Sequence, residues 1–172
     1  MGVRAEYRQA AEELGRLLLN RNIRLVYGGA NVGLMKVLAD TVLDGGGEVI
    51  GVMPRILVEK EVAHQGLTKM HIVKSMSERK SLMVELSDAF IAMPGGFGTL
   101  DELAEVITYN QLRLTDKPIG ILANAGWMTD DVIRKIIEEA HRGSGKVVYD
   151  ADPQRLVQKV IALIRKEKLI KI

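Results

Sequence analysis

Phe90-Ile91-Ala92-Met93-Pro94-Gly95-Gly96-Phe97-Gly98-Thr99-Leu100-Asp101-Glu102 decides how the rest of this chain is read. A short apolar run suited to a buried strand meets a proline, then a turn carrying Gly95, Gly96 and Gly98, and a helix opens directly behind it. Glycine permits left-handed backbone and close approach to a ligand, and the first N–H groups of a helix carry partial positive charge. Together they form a seat for an anion, most naturally a phosphate. Thr99 reads as the N-cap. Glu102 then has two readings: Thr99-Leu100-Asp101-Glu102 fits a capping box, in which the glutamate bonds back to the N-cap backbone, or its carboxylate turns toward whatever sits on the glycines.

Working outward, helical spacing places an amphipathic helix over residues 4–20, with Tyr7, Ala10, Ala11, Leu14, Leu17 and Leu18 on one side. A strand over 23–27 ends in a second glycine turn, Gly28-Gly29-Ala30-Asn31-Val32-Gly33. The helix expected over 34–43 is apolar on nearly every side, which predicts burial in the middle of the domain. A strand over 48–53 stops at Pro54. Residues 55–69 read as a surface loop with a short helical turn, bringing Glu59, Glu61 and His64 close together. His64 is a weak ligand candidate, since no second histidine stands at a metal-ligand spacing.

After a strand over 70–73, Ser75-Met76-Ser77-Glu78 is a capping box for a helix through about Leu86. Arg79 falls in its first turn, where the macrodipole disfavours a cation, and shares a face with Leu82, Met83 and Leu86. That location favours an anionic partner over a merely solvated arginine. Behind the central turn, Leu100, Leu103, Ala104 and Ile107 form one apolar stripe and Val106, Tyr109 and Leu112 a second, so the helix is expected to bury one side on the sheet and another on a second subunit. A strand over 117–122, a helix over 129–141, a strand over 147–149 and a last helix led by Pro153 complete the chain. Its basic end, 165–172, reads as solvated.

Strands alternating with helices at this spacing predict a doubly wound parallel sheet, a three-layer α/β/α Rossmann-like fold, in a single nucleotide-binding domain over 1–172. Both glycine turns belong to the C-terminal strand edge, where such folds bind ligands. A balance of 24 basic against 22 acidic residues argues against a nucleic-acid polymer as partner. Cys 0 excludes disulfides, thiolate catalysis and cysteine zinc sites. No apolar run approaches the roughly 20 residues of a membrane span, and no signal-peptide core is seen, so no membrane and a cytoplasmic location are expected.

Gly28-x-Ala30-x-x-Gly33 is a degenerate dinucleotide fingerprint whose usual acidic residue is replaced by Met53-Pro54-Arg55. Neither turn carries the Gly-Lys-Ser/Thr of a P-loop, and no Gly-x-Ser-x-Gly elbow occurs. Two glycine turns, an arginine at a helix start and a carboxylate beside the second turn suit a phosphorylated sugar.

Pro94 to Glu102 resembles the PGGxGTxxE signature of the LOG (Lonely Guy) family, the cytokinin riboside 5′-monophosphate phosphoribohydrolases often mislabelled lysine decarboxylases. The likeness runs through Leu25-Val26-Tyr27-Gly28-Gly29, Gly33-Leu34-Met35, Gly51-Val52-Met53-Pro54, Glu78-Arg79-Lys80, Asp88-Ala89-Phe90-Ile91-Ala92 and Lys117-Pro118. It implies cleavage of the N-glycosidic bond of AMP or a cytokinin ribotide to free base and ribose 5-phosphate, without metal or other cofactor, by a homodimer. It maps the catalytic pair onto Arg79 and Glu102. Nucleotide contacts map onto Gly28, Gly29, Met76, Lys80, Gly95, Gly96, Gly98, Thr99 and Thr108.

Two departures stand out. Ser77 replaces the histidine that precedes Glu-Arg-Lys in the family. The family's first strand, with its glycine-serine turn, has no counterpart before the first helix, so the sheet is expected to lack an interior member. A non-catalytic nucleotide or molybdenum-cofactor carrier of the same fold is the alternative, and a lysine decarboxylase is disfavoured because no pyridoxal-phosphate lysine can be identified.

Overall fold

The computed structural model describes residues 4–60, 63–124, 126–142 and 146–168, the last four by backbone alone. The chain falls into two compact units, Met1–Ser87 and Asp88–Ile172. Glu61 and the side chains of the basic end, 165–172, lie outside the described residues.

In the first unit, α1 (Ala5–Leu19) precedes β1 (Leu25–Tyr27), α2 (Gly33–Asp44), β2 (Val49–Pro54), α3 (Arg55–Val58), β3 (Lys69–Val73) and α4 (Met76–Leu86). The three strands form a parallel sheet in the order β1-β2-β3, with Tyr27 opposite Gly51 and Pro54 opposite Val73. β2 is buried along nearly its whole length, as expected of an apolar strand covered on both faces. α1 packs on α2, closing Ala10, Ala11, Leu14 and Leu18 over Leu38, Ala39 and Val42. Only that face of α2 is buried, whereas Met35 is exposed. The burial in the middle of the domain expected of this helix is therefore corrected: α1, with β1 and β2, covers the side of Leu38, Ala39 and Val42, and high apolar content did not imply burial of the rest.

The second unit runs β4 (Phe90–Ala92), α5 (Phe97–Gln111), β5 (Ile119–Leu122), α6 (Asp130–His141), β6 (Val147–Asp150) and α7 (Pro153–Lys168). Its parallel sheet has the order β4-β5-β6. Every residue of β5 is buried, and a Cβ on Gly120 would press on Leu156 and Val160 of α7, so α7 lies directly on that strand. Asp150 ends β6 with its carboxylate held by Arg155 and Lys159 of α7, and the Arg155 hydrogen bond foremost keeps it well below the usual carboxylate range.

Both units are parallel α/β sheets with helices on both sides, as the alternating pattern predicted. Among the described residues β1 pairs only with β2 and β4 only with β5, so each strand carrying a glycine turn is the end member of its sheet.

Candidate active site

In the first unit the turn after β1 is built from inside the sheet. Gly29 and Gly33 are left-handed, with φ of 79° and 58°, which side-chain-bearing residues adopt only with strain. The buried Tyr27 hydroxyl donates to Ala30 O, and burial first, then the nearby Asp40, pushes its pKa up and keeps it a neutral donor. From the other side the segment after α3 closes on the turn: Ala63 bridges Ala30, and the His64 N–H donates to Gly29 O at 2.9 Å.

The His64 ring anchors that segment. Its Nδ1 accepts from the Gly66 N–H at 3.0 Å, so the ring proton is on Nε2, which donates to Asp40 Oδ1 at 2.8 Å. Burial pulls the Asp40 pKa up, but hydrogen bonds from Lys36 and His64 outweigh it and hold the carboxyl below its ordinary value. His64 is thus a structural latch, both ring nitrogens being engaged.

Arg79 comes onto the same turn from α4. Ser75 Oγ caps that helix by accepting from the Glu78 N–H, while Glu78 accepts from the Lys74 N–H. The predicted capping box is present, its return bond shifted one residue outward. Arg79 is half-buried, and its Nε donates to Val52 O in β2 at 3.1 Å. A Cβ on Gly28 would overlap Arg79 Nη2 and lie 3.2 Å from Cζ, so the guanidinium rests on the glycine itself. Met76 is exposed at the helix start with its Sδ 4.0 Å from Arg79 Nη1, and Lys80 is half-buried on the next position.

The second turn is built differently. α5 starts at Phe97 with Gly96 as N-cap, three residues earlier than the Thr99 cap expected from sequence. The Thr99 N–H bonds back to Gly96 O, and its hydroxyl sits where a Cβ on Gly95 would go. Thr99 therefore fills the turn rather than capping the helix. The correction carries over to Glu102, which lies in the second helical turn, too far along for a capping-box bond. Three places after Thr99 and four before buried Val106, the half-buried Glu102 stands on the helix face that also carries Thr99.

Gly95, Gly96 and Gly98 are all outside the left-handed region, so backbone strain is not why they are glycine. Gly95 makes room for Thr99; a Cβ on Gly96 or Gly98 would meet no protein atom within 4 Å. Thr108 is exposed farther along α5 and donates its hydroxyl to Ala104 O.

One residue at this edge escaped the sequence reading. Trp127, in the loop between β5 and α6, donates its indole N–H to Gly95 O at 2.8 Å. Its signal was faint: the lone tryptophan of the chain, placed just after a buried strand of the same sheet. Among the described residues no group of three or more His, Asp or Glu could hold a metal ion.

Residues 35–152 match the model of a protein family described as possible lysine decarboxylase. The chain is 50% identical over 126 residues to the probable cytokinin riboside 5′-monophosphate phosphoribohydrolase LOGL1 of Oryza sativa subsp. japonica, covering 73% of this chain and 56% of that protein. It is 46% identical over 140 residues to the cytokinin riboside 5′-monophosphate phosphoribohydrolase LOG1 of Arabidopsis thaliana, covering 80% and 66%. With the cytokinin riboside 5′-monophosphate phosphoribohydrolase of Rhodococcoides fascians identity is 52% over 118 residues, covering 68% and 60%. The chain thus spans between 56% and 66% of the length of these curated relatives.

Among solved structures, the molybdenum cofactor carrier protein of Chlamydomonas reinhardtii superposes with a TM-score of 0.76 at 20% identity, covering 96% of this chain and 95% of that one. The molybdenum cofactor binding protein of Rippkaea orientalis gives 0.75 at 20% identity, over 94% and 90%. At that identity the likeness is one of fold.

Proposed function

We propose, from the premise that this chain belongs to the LOG family matched by the possible-lysine-decarboxylase model, that it is a phosphoribohydrolase cleaving AMP or a cytokinin riboside 5′-monophosphate to free base and ribose 5-phosphate. In this reading residues 1–172 act as one nucleotide-binding domain. The observation that carries it is the arginine laid on the first glycine turn at the C-terminal end of β1, the edge at which parallel α/β sheets bind their ligands.

Arg79 binds an anionic group of the substrate through its planar fork and fixes the sugar. Loss of the base leaves positive charge on the ribose ring, which the Glu102 carboxylate stabilises while it orients or activates a water. The water oxygen bonds to the anomeric carbon, the C–N bond breaks with its electron pair going to the base, and the proton the water gives up is taken up in balance by the departing base. Gly98 is glycine for neither left-handed backbone nor packing, and a Cβ on the N-cap Gly96 would also meet no protein atom, which supports close approach of a phosphate to the start of α5. Their neighbours Gly95 and Thr99 shape that seat, while Gly29, Met76, Lys80 and Thr108 complete the nucleotide contacts and Gly28 lies under the Arg79 guanidinium.

A homodimer and a cytoplasmic location belong to the same proposal. Phe97, Leu100 and Leu112 are exposed along α5, with Phe97 at 90%, and this apolar side suits a second copy of the chain. Light scattering showing only monomer would remove that part. No helix among the described residues is long and apolar enough to cross a membrane.

The test is chromatographic. Incubation with AMP and with a cytokinin ribotide releases free base, and Glu102→Gln lowers the rate by about 100-fold or more. An unchanged rate in that variant sinks the mechanism. Tight binding without base release would favour the carrier reading.

A further inference from the structure

We infer that Gly28 is a positioning residue for Arg79: its absent side chain is the seat of the guanidinium, and the Val52 carbonyl fixes the plane in which the fork lies. The inference rests on the assignment of Arg79 to the active site and adds how that side chain is aimed.

Three observations carry it. The Nε–Val52 O bond ties the arginine to β2, while Nη1 lies 4.0 Å from Met76 Sδ and Nη2 lies over Gly28, so the glycine seat helps set where the Nη1/Nη2 edge lies. That edge offers a parallel pair of N–H donors of the kind planar recognition of a phosphate or carboxylate uses. A Cβ at Gly28 would overlap Nη2, so even the smallest side chain displaces the fork. Finally, Gly28 is outside the left-handed region, unlike its neighbour Gly29 at φ 79°, so nothing in its own backbone demands glycine.

Two kinds of glycine therefore stand side by side. Gly29 is fixed by conformation and by Met70, whose Cε and Sδ would each lie 3.0 Å from a Cβ there. Gly28 is fixed by the tip of a flexible arginine, which can swing aside at little cost to folding. A Cβ at Gly28 therefore re-aims the arginine without unfolding the protein.

The experiment compares Gly28→Ala, Arg79→Ala and the double variant in three measurements: base release from AMP, calorimetric binding of ribose 5-phosphate, and the denaturant unfolding midpoint. Gly28→Ala is expected to lower turnover by about 100-fold, the order expected for a reacting group misplaced by about 1 Å. Its unfolding midpoint stays at the wild-type value. In the Arg79→Ala background, adding Gly28→Ala changes ribose 5-phosphate affinity less than about twofold, because the group it displaces is gone.

Wild-type turnover and binding in Gly28→Ala would overturn the inference. So would losses that multiply in the double variant, since Gly28 would then meet the ligand directly. Should Gly28→Ala lower the unfolding midpoint, restoration of the midpoint in the double variant upholds the clash with Arg79, and its persistence overturns it. Wild-type activity in Arg79→Ala would remove the parent assignment, and the inference with it, whatever Gly28→Ala does.

Discussion

The two glycine turns occupy equivalent places, each following the end strand of a parallel sheet, yet they are held by opposite means. The turn after β1 is pinned by groups distant in sequence: Arg79 on Gly28, His64 on Gly29 and Ala63 on Ala30. The turn after β4 is filled largely by its own helix, with Thr99 against Gly95, and Trp127 is the only distant group seen bonding to it among the described residues. The first is therefore an effect of tertiary packing and the second nearly a local motif. Local motifs can be read in a sequence; tertiary seats have to be seen.

Substitutions can break or sharpen this contrast. The largest effect is expected on activity, from Gly98→Ala. A Cβ there meets no protein atom, and alanine is the better helix former by up to about 1 kcal/mol, so the unfolding free energy holds or rises. If the start of α5 seats a phosphate as proposed, the added methyl blocks it and turnover falls by about 100-fold, about 2.7 kcal/mol at the transition state. An active Gly98→Ala enzyme would mean that the second turn binds no phosphate.

Next comes Gly29→Ala, which forces an L-residue to φ 79° beside Met70. It costs about 2 kcal/mol of stability and lowers activity along with it, the reverse of the Gly98 pattern. Chemical denaturation with a parallel rate measurement separates the two. Trp127→Phe keeps an aromatic side chain and deletes the bond to Gly95 O, costing about 1 kcal/mol and a few-fold in turnover. A variant indistinguishable from wild type would leave the second turn wholly local.

The smallest effect concerns the latch under the first turn. The Asp40 pKa is lowered in the folded protein, so its contribution is present above the unfolded carboxylate pKa and fades as pH falls through the folded value. With a side chain 36% exposed, its charge contributes less than about 1 kcal/mol. Asp40→Asn should differ from wild type in unfolding free energy at neutral pH and converge with it in acid; a gap that persists at low pH would mean the carboxylate charge is not what matters.

Element types and order were legible because the strands are short apolar runs, of which β1, β2 and β4 are closed by glycine or proline, and the amphipathic helices repeat their apolar residues at 3.6-residue spacing. Where reading failed, the physics is local ambiguity. Thr99 has the chemistry of an N-cap, but Gly96 takes that role and the threonine hydroxyl is used against Gly95. α2 is apolar on nearly every side, yet its contacts with α1, β1 and β2 decide which residues are covered. Trp127 carries no motif at all.

By itself the chain dictated its alternation of strands and helices, the positions of both glycine turns and the Glu78-Arg79-Lys80 and Thr99-to-Glu102 segments that tie it to its family. All of these depend on neighbours within a few residues. Only the folded structure assigned the reason for each glycine: conformation at Gly29, the Arg79 tip at Gly28, the Thr99 hydroxyl at Gly95. A missing side chain looks the same in every sequence, and what fills its place is settled by atoms that arrive from elsewhere in the fold.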